Sequence, residues 1–343
     1  MPCAPVSFPA VRPARGTLSA AHQEIFGSEK KGVTFLPPED FLALPEQWSG
    51  LERSRVVILP VPYEHTTSFG KGTASGPKAI LDASGQVELY DEELDSEIYT
   101  VTDGIATLKP LDLRCNDAAA VESIREKVLG LIKKDKTVVC IGGEHTISSG
   151  AARAHSDFYP DLSVLQLDAH SDLREEYEGN RYSHACVMAR IYEFNKNIVQ
   201  VGIRSQCREE ADFIRQKKIN TFYAFDLKSG RYGTHRTAWH DAVIGSLREN
   251  VYLTIDCDFF DPGLMPAVGT PEPGGFGWHE TVSFLRSLSE RRRIVGFDIT
   301  ELSPIPGFIH PQFVTAKLIY KLIGYIFSRS HSTEGKPAGN RDA

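Results

Sequence analysis

No run of apolar residues in this chain approaches the roughly 20 that a membrane-spanning helix needs, so no membrane partner is expected. A basic surplus is missing too. Lys and Arg number 38 against 45 Asp and Glu, a formal net charge of -7, which argues against a nucleic-acid partner. The six cysteines are scattered, with no CxxC pair or dense framework, and predict reduced thiols in a cytoplasmic protein. The opening Met1-Pro-Cys-Ala-Pro has neither the charged nor the apolar segment of a secretory signal. Residues 1–32 read as a disordered Pro/Ala/Ser-rich extension and 331–343 as a disordered tail. Residues 33–330 have no internal repeat and no separating linker, so they are expected to form one domain.

Within that domain the pattern alternates. Val56-Val-Ile-Leu59 reads as a strand buried on both faces, after a Pro-punctuated polar segment (33–50) expected on the surface. Strands are expected at 137–141, 162–167, 198–203, 219–225, 251–255 and 294–297, and helices at 118–134, 146–155, 183–194, 209–217, 237–248, 279–291 and 311–327. Such alternation predicts a three-layer α/β/α domain with a central, mostly parallel sheet. Gly70-Lys-Gly-Thr-Ala-Ser-Gly-Pro77 suggests a phosphate loop, but Pro77 stands where that motif needs Lys. Pro77 suits the first turn of a helix instead.

Four of the expected strands end in polar groups where folding alone would favour Val or Leu. Cys140-Ile-Gly-Gly-Glu-His145 ends one, Leu165-Gln-Leu-Asp-Ala-His-Ser-Asp172 a second, Thr254-Ile-Asp-Cys-Asp258 a third and Gly296-Phe-Asp-Ile-Thr-Glu301 a fourth. Ligands bind beyond the carboxyl ends of strands in open parallel sheets. The pattern therefore brings His145, Asp168, His170, Asp172, Asp256, Asp258 and Glu301 to one sheet edge. Alternate residues at a strand end point the same way, so Asp168, His170 and Asp172 are expected to share a face, as are Asp256 and Asp258. Taken singly, each motif reads as a capped loop or turn. Together, two imidazoles and four carboxylates would repel strongly without positive charge. Mixed nitrogen and oxygen donors suit manganese better than zinc, iron or nickel, and six ligands exceed what one catalytic ion needs.

These motifs resemble the ureohydrolase superfamily of arginases, agmatinases and related enzymes that hydrolyse guanidino groups. The likeness spans roughly residues 55–328 and rests on Gly142-Gly-Glu-His145, Asp168-Ala-His-Ser-Asp172, Tyr182-Ser-His184, Asp256-Cys-Asp258, Gly269-Thr-Pro-Glu-Pro-Gly-Gly275 and Glu301. Pro62-Tyr-Glu-His-Thr-Thr-Ser-Phe-Gly70, with Gly76-Pro77 and Glu88-Leu-Tyr-Asp-Glu92, is similar to bacterial agmatinases in particular. The resemblance implies two Mn2+ per subunit and a homotrimer or homohexamer. It assigns one ion to His145, Asp168, Asp172 and Asp256, and the other to Asp168, His170, Asp256 and Asp258. It makes His184 the proton shuttle and Glu301 the acid that holds the guanidinium. Glu144 and Cys257 depart from residues common in relatives; Cys257 is expected to face the core, and the role of Cys186 is open.

The reaction so implied is hydrolysis of agmatine to putrescine and urea by a metal-activated water. Glu301 would pair with the guanidinium, Asp172 would relay the proton to the leaving amine, and His184 would exchange protons with solvent. Glu175, Glu176 and Glu178 suggest an acidic rim, with Glu176 as a substrate contact, that disfavours the carboxylate of arginine. Aminopropylagmatine, guanidinobutyrate and arginine are the alternative substrates. A catalytically silent arginase-like binding protein is a further alternative, and a one-metal deacetylase a weaker one.

Overall fold

The computed structural model describes residues 39–113, 116–233, 235 and 237–332. The extension expected over 1–32 lies outside the described residues, as does the tail from 333 onward; residues 331 and 332 complete the last helix. Strands form at β1 (Val56–Val61), β2 (Tyr90–Asp91), β3 (Ser96–Glu97), β4 (Ile105–Thr107), β5 (Thr137–Gly142), β6 (Leu162–Leu167), β7 (Ile198–Ile203), β8 (Asn220–Tyr223), β9 (Asn250–Asp256) and β10 (Arg293–Thr300). Eight of them make one sheet in the order β4-β1-β5-β10-β9-β6-β7-β8. Every neighbouring pair in it is parallel, while β2 and β3 form a separate antiparallel pair.

A parallel sheet must be covered on both faces, and the strand sequences show it. Along β1, Val56 and Ile58 join one hydrophobic cluster, with the helices Gly76–Ser84, Trp278–Arg291 and His310–Ser332. Val57, Leu59 and Val61 join the other, with the helices Asp117–Ile132, Ile147–Phe158 and Val187–Phe194. Three layers result, as the alternation predicts. Pro77 occupies the first turn of Gly76–Ser84.

The chain differs from the sequence reading in three places. The segment read as a surface wrap contributes Phe41, Leu42 and Leu44 to the core, and the Leu42 N–H donates to Ser84 Oγ at 2.8 Å. Its prolines and charges masked that short apolar run. The strand expected over 219–225 stops at Tyr223, and a short helix, Ala224–Lys228, follows. Strands β2, β3 and β4 are too short to carry a periodicity, and none was expected.

The central four positions of the sheet are β5, β10, β9 and β6. Their carboxyl ends supply His145, Glu301, Asp256 with Asp258, and Asp168 with His170 and Asp172.

Candidate metal centre

The floor of the site is built by turns at these strand ends rather than by strand pleat. After Asp256, Cys257–Phe259 forms a single 3-10 turn, and the Asp256 side chain accepts from the Asp258 N–H at 2.8 Å. After β6, the His170 N–H donates to Asp168 Oδ1 at 2.6 Å, and Asp172 has φ 52°. Residues without glycine's freedom rarely hold that conformation. Asp172 is kept in it by its carbonyl, which accepts from the Met188 and Ala189 N–H groups. The expected convergence is present, but the shared face comes from these turns.

The ring of His145 shows what the floor is built to hold. Its Nε2 lies 2.9 Å from Thr254 Oγ1, whose hydroxyl donates to Asp298 Oδ1 at 2.6 Å. With its proton committed to that carboxylate, Thr254 accepts from His145 Nε2–H. The Nδ1 lone pair is then aimed at Asp172 Oδ2 (2.9 Å), Asp168 Oδ2 (3.2 Å) and Asp256 Oδ2 (3.4 Å). A lone pair facing three carboxylates is repulsive unless a cation or a proton stands between them. A buried partner that fixes the tautomer of a ligating histidine is the usual support of a metal ligand. His170 also turns Nδ1 toward carboxylates, 2.8 Å from Asp258 Oδ2 and 3.9 Å from Asp168 Oδ1.

Donor atoms of His145, Asp168 and Asp256 lie within 4.8 Å of one another, as do those of Asp168, His170 and Asp258. Asp168 belongs to both groups. This donor set fits a pair of divalent cations sharing one carboxylate.

The charge states say the same. Burial, then Asp258 and Asp172, push the Asp168 carboxyl up to about 7. Burial, then Asp258 and Asp168, raise Asp256 well above the usual carboxylate range. Burial opposes a charged ring at His145, but Asp168 and Asp172 outweigh it and raise its pKa well above the ordinary value. His170 is raised to about 10 against its burial, chiefly by Asp258. Asp258 itself, despite burial, is drawn down to about 2 by His170. Without metal the cluster holds protons in the cations' place.

Above the floor is a cavity of about 290 Å³. Its walls come from the loop after β1 (Thr67 to Gly70), the segment after β6 (Arg174, Tyr177, His184), the segment after β7 (Gln206 and Cys207, with Glu210 in the helix that follows), and Gly269 with Thr270. Glu301 reaches the cavity with φ 64°. Burial, then Glu144, push its carboxyl up to about 8.

His184 lies in the wall. Glu176 is exposed and outside the cavity lining. Its neighbour Glu175 is drawn to Arg181 and Arg190, at 2.7 and 3.0 Å.

Several participants escaped the sequence reading. Glu210 is the acid in the wall; Leu173 N–H and Cys207 N–H donate to it at 2.9 and 2.7 Å. The Cys-x-x-Glu spacing of a capping box at the helix following β7 was the available signal. Arg204 ties loops together, donating to the carbonyls of Asp258 (2.5 Å), Glu272 (2.9 Å) and Pro273 (3.1 Å). Cys257 faces the core as expected, and Cys186 is buried.

The model of the arginase family matches residues 54–326. A relative from Synechocystis, named N(1)-aminopropylagmatine ureohydrolase, is 41% identical over 302 residues, covering 84% of this chain and 96% of that protein. The agmatinase of Pyrococcus horikoshii is 34% identical over 276 residues, covering 78% and 90%. The solved agmatine ureohydrolase of Thermoplasma volcanium superposes with a TM-score of 0.75 at 29% identity, covering 83% and 94%.

Proposed function

The chain belongs to the arginase family, and from that premise we propose that it hydrolyses the guanidino group of agmatine, releasing putrescine and urea. The observation that carries the reading is the pair of ligand groups joined through Asp168, with Glu301 opening into the same cavity. A binding protein has no need for a buried acid cluster that repels itself. A one-metal deacetylase has no need for the second group.

A guanidinium carbon is a poor electrophile because its charge is spread over three nitrogens. Two divalent cations, manganese in this reading, supply when bound the Lewis acidity that makes water nucleophilic near neutral pH. The resemblance gives Asp256 to both ions. The chain's own residues handle substrate and protons. One oxygen of Glu301 is fixed by the His145 N–H at 2.6 Å, and the carboxylate is presented to the guanidinium nitrogens. Asp172 takes the proton of the attacking water and delivers it to the amine nitrogen as the carbon–nitrogen bond breaks. His184 exchanges protons between this site and solvent.

The far end of the substrate is read by the walls. Arg174 is the one guanidinium among the lining residues, and it is engaged by Tyr177, 5.0 Å from the ring centroid, and by Glu210 at 3.9 Å. Little cationic character is left to receive the carboxylate of arginine. The names of the Synechocystis relative and of two from Thermus thermophilus, 36% and 35% identical, favour a second reading. In it the substrate is N(1)-aminopropylagmatine and the product amine is correspondingly longer.

Urea release from agmatine, aminopropylagmatine, guanidinobutyrate and arginine, with manganese added, decides among these. Urea from either carboxylate-free amine is expected. No urea from any of them sinks the proposal and leaves the binding-protein reading.

The reading includes a cytoplasmic trimer or hexamer. Four free cysteines among the described residues support the compartment. Exposed Ile305, Phe308, Ile309 and Phe313 in one short stretch support self-association.

A further inference from the structure

Glu144 is fully buried yet belongs to neither ligand group. Its carboxylate turns the other way, into the loop that follows β1. Oε2 accepts from the His65 and Thr66 N–H groups at 2.8 and 2.7 Å, and Oε1 accepts from the hydroxyls of Thr66 and Thr146, each at 2.8 Å. Glu64 fastens the far side of the same loop, accepting from Gly72 N–H, Ala74 N–H and the Thr67 hydroxyl. The loop is thus held at both ends by acids that take no part in the metal floor.

The Thr66 hydroxyl passes this restraint to His184. The Thr66 hydroxyl has one proton, and its bond to Glu144 Oε1 uses it. The same oxygen can then only accept. It accepts from the His184 peptide N–H at 2.9 Å and stands 3.2 Å from the imidazole Nδ1. Ser183 Oγ stands farther from Nδ1, at 3.4 Å, so the nearer Thr66 oxygen sets the ring: Nδ1 carries the hydrogen, and Nε2 keeps the lone pair. Tyr177 stands edge-on to the ring, with centroids 6.2 Å apart, and limits its rotation. Carboxylate, hydroxyl and imidazole form a relay that orients a base in the way an acid orients the histidine of a catalytic triad. Aspartate in place of Glu144 would draw the carboxylate back by one methylene and away from the loop.

We infer that Glu144 and Thr66 are positioning residues for His184, which hold its ring in the Nδ1–H tautomer and so make Nε2 the atom that exchanges the proton. The inference rests on the ureohydrolase reading, in which His184 is the proton carrier.

The test is a double-mutant cycle. Thr66→Val keeps the β-branch and removes the hydroxyl; Thr66→Ser keeps the hydroxyl. In Thr66→Val, kcat should fall roughly 10- to 100-fold, with KM and metal content unchanged, and Thr66→Ser should recover most of the loss. Combined with His184→Ala, Thr66→Val should cost nothing further, because both changes remove one function. Full additivity, or parental kcat in Thr66→Val, overturns the inference. If Thr66→Val does not fold, Glu144→Gln frees the threonine proton and is read by the same cycle. Nitrogen-15 imidazole shifts of the metal-free protein give a readout apart from turnover: His184 should be Nδ1–H in the parent and a mixture in Thr66→Val. Identical spectra also overturn the inference. A parent that releases no urea, but shows the expected tautomer, would fault the ureohydrolase reading and leave the positioning intact.

Discussion

The Glu301 carboxylate is hydrogen-bonded to the peptide N–H of His145 at 2.6 Å, across 156 positions of sequence. In the proposed reaction the acid that meets the substrate is held by a proposed metal ligand, so a single bond sets the guanidinium and metal sites to one another. The left-handed backbone of Glu301 is steadied in turn by its own N–H, which donates to the Gly143 carbonyl at 2.8 Å. Glu301→Gln keeps the shape but loses the charge. Its metal content should match the parent, while kcat/KM falls roughly 100-fold, the scale of breaking one buried charged pair. Elemental analysis beside urea kinetics checks this; loss of metal would show that Glu301 serves the ions instead.

Because Asp168 has donor atoms in both groups, Asp168→Asn should lose both ions. Asp258→Asn should lose mainly the one beside His170. Metal stoichiometry after gel filtration distinguishes them, and equal losses would contradict the shared-carboxylate geometry. Chelation of the parent should lower Tm, since only the folded state assembles these donors and binding stabilises it. Unchanged Tm on stripping would argue that the cluster holds no ion.

Two glycines should respond oppositely to alanine. At Gly143 a Cβ would fall 2.1 Å from the Tyr63 carbonyl, where the loop after β1 crosses the strand end. Gly143→Ala should cost about 1–3 kcal/mol and disturb the site. Gly130 lies in the helix Asp117–Ile132, and a Cβ there meets nothing within 4 Å. Gly130→Ala should stabilise by about 0.5–1 kcal/mol. Denaturant unfolding reads both, and a neutral Gly143→Ala would mean that the loop yields easily.

His155 is buried behind the sheet, its ring 4.5 Å from that of Tyr252, with Nδ1 2.8 Å from the Ala151 carbonyl. Burial, the larger effect, holds its pKa at about 4, below the ordinary 6.5. The folded state keeps this ring neutral while the unfolded chain protonates it near 6.5. Its contribution to stability is therefore complete above pH 6.5 and is lost as pH falls toward 4. The difference corresponds to about 3 kcal/mol. His155→Leu should flatten part of the stability decline between those values. His240, also lowered to about 4 mainly by burial, leaves a residual slope. An unchanged pH profile in His155→Leu would overturn the assignment.

The floor of the site was legible in the sequence because charge at the end of an apolar strand has few structural explanations. His145, Asp168, His170, Asp256 and Asp258 each break such a run. The walls were not legible. Glu210 hides in an ordinary helix cap, and Arg204 acts through carbonyls, which leave no mark in a sequence. Glu176 looked like part of an acidic rim, but three glutamates in a loop do not say which way each points. The order of the sheet was equally hidden, since alternation of strands and helices gives parallel pairing without saying which strand lies beside which. Phe41, Leu42 and Leu44 were missed because a four-residue apolar run among prolines and charges carries no period.

The separation of floor from walls has an evolutionary consequence. The six proposed ligand residues and Glu301 stand at the carboxyl ends of the four innermost strands, whereas much of the wall arises from segments beyond β1 and β7, on either flank. Away from Thr66, substitutions in those flanking loops can retune which amine is accepted while the floor of the site stays in place. Preference for a short or a long amine can thus drift between lineages on an unchanged catalytic base, and an engineer could change one without rebuilding the other.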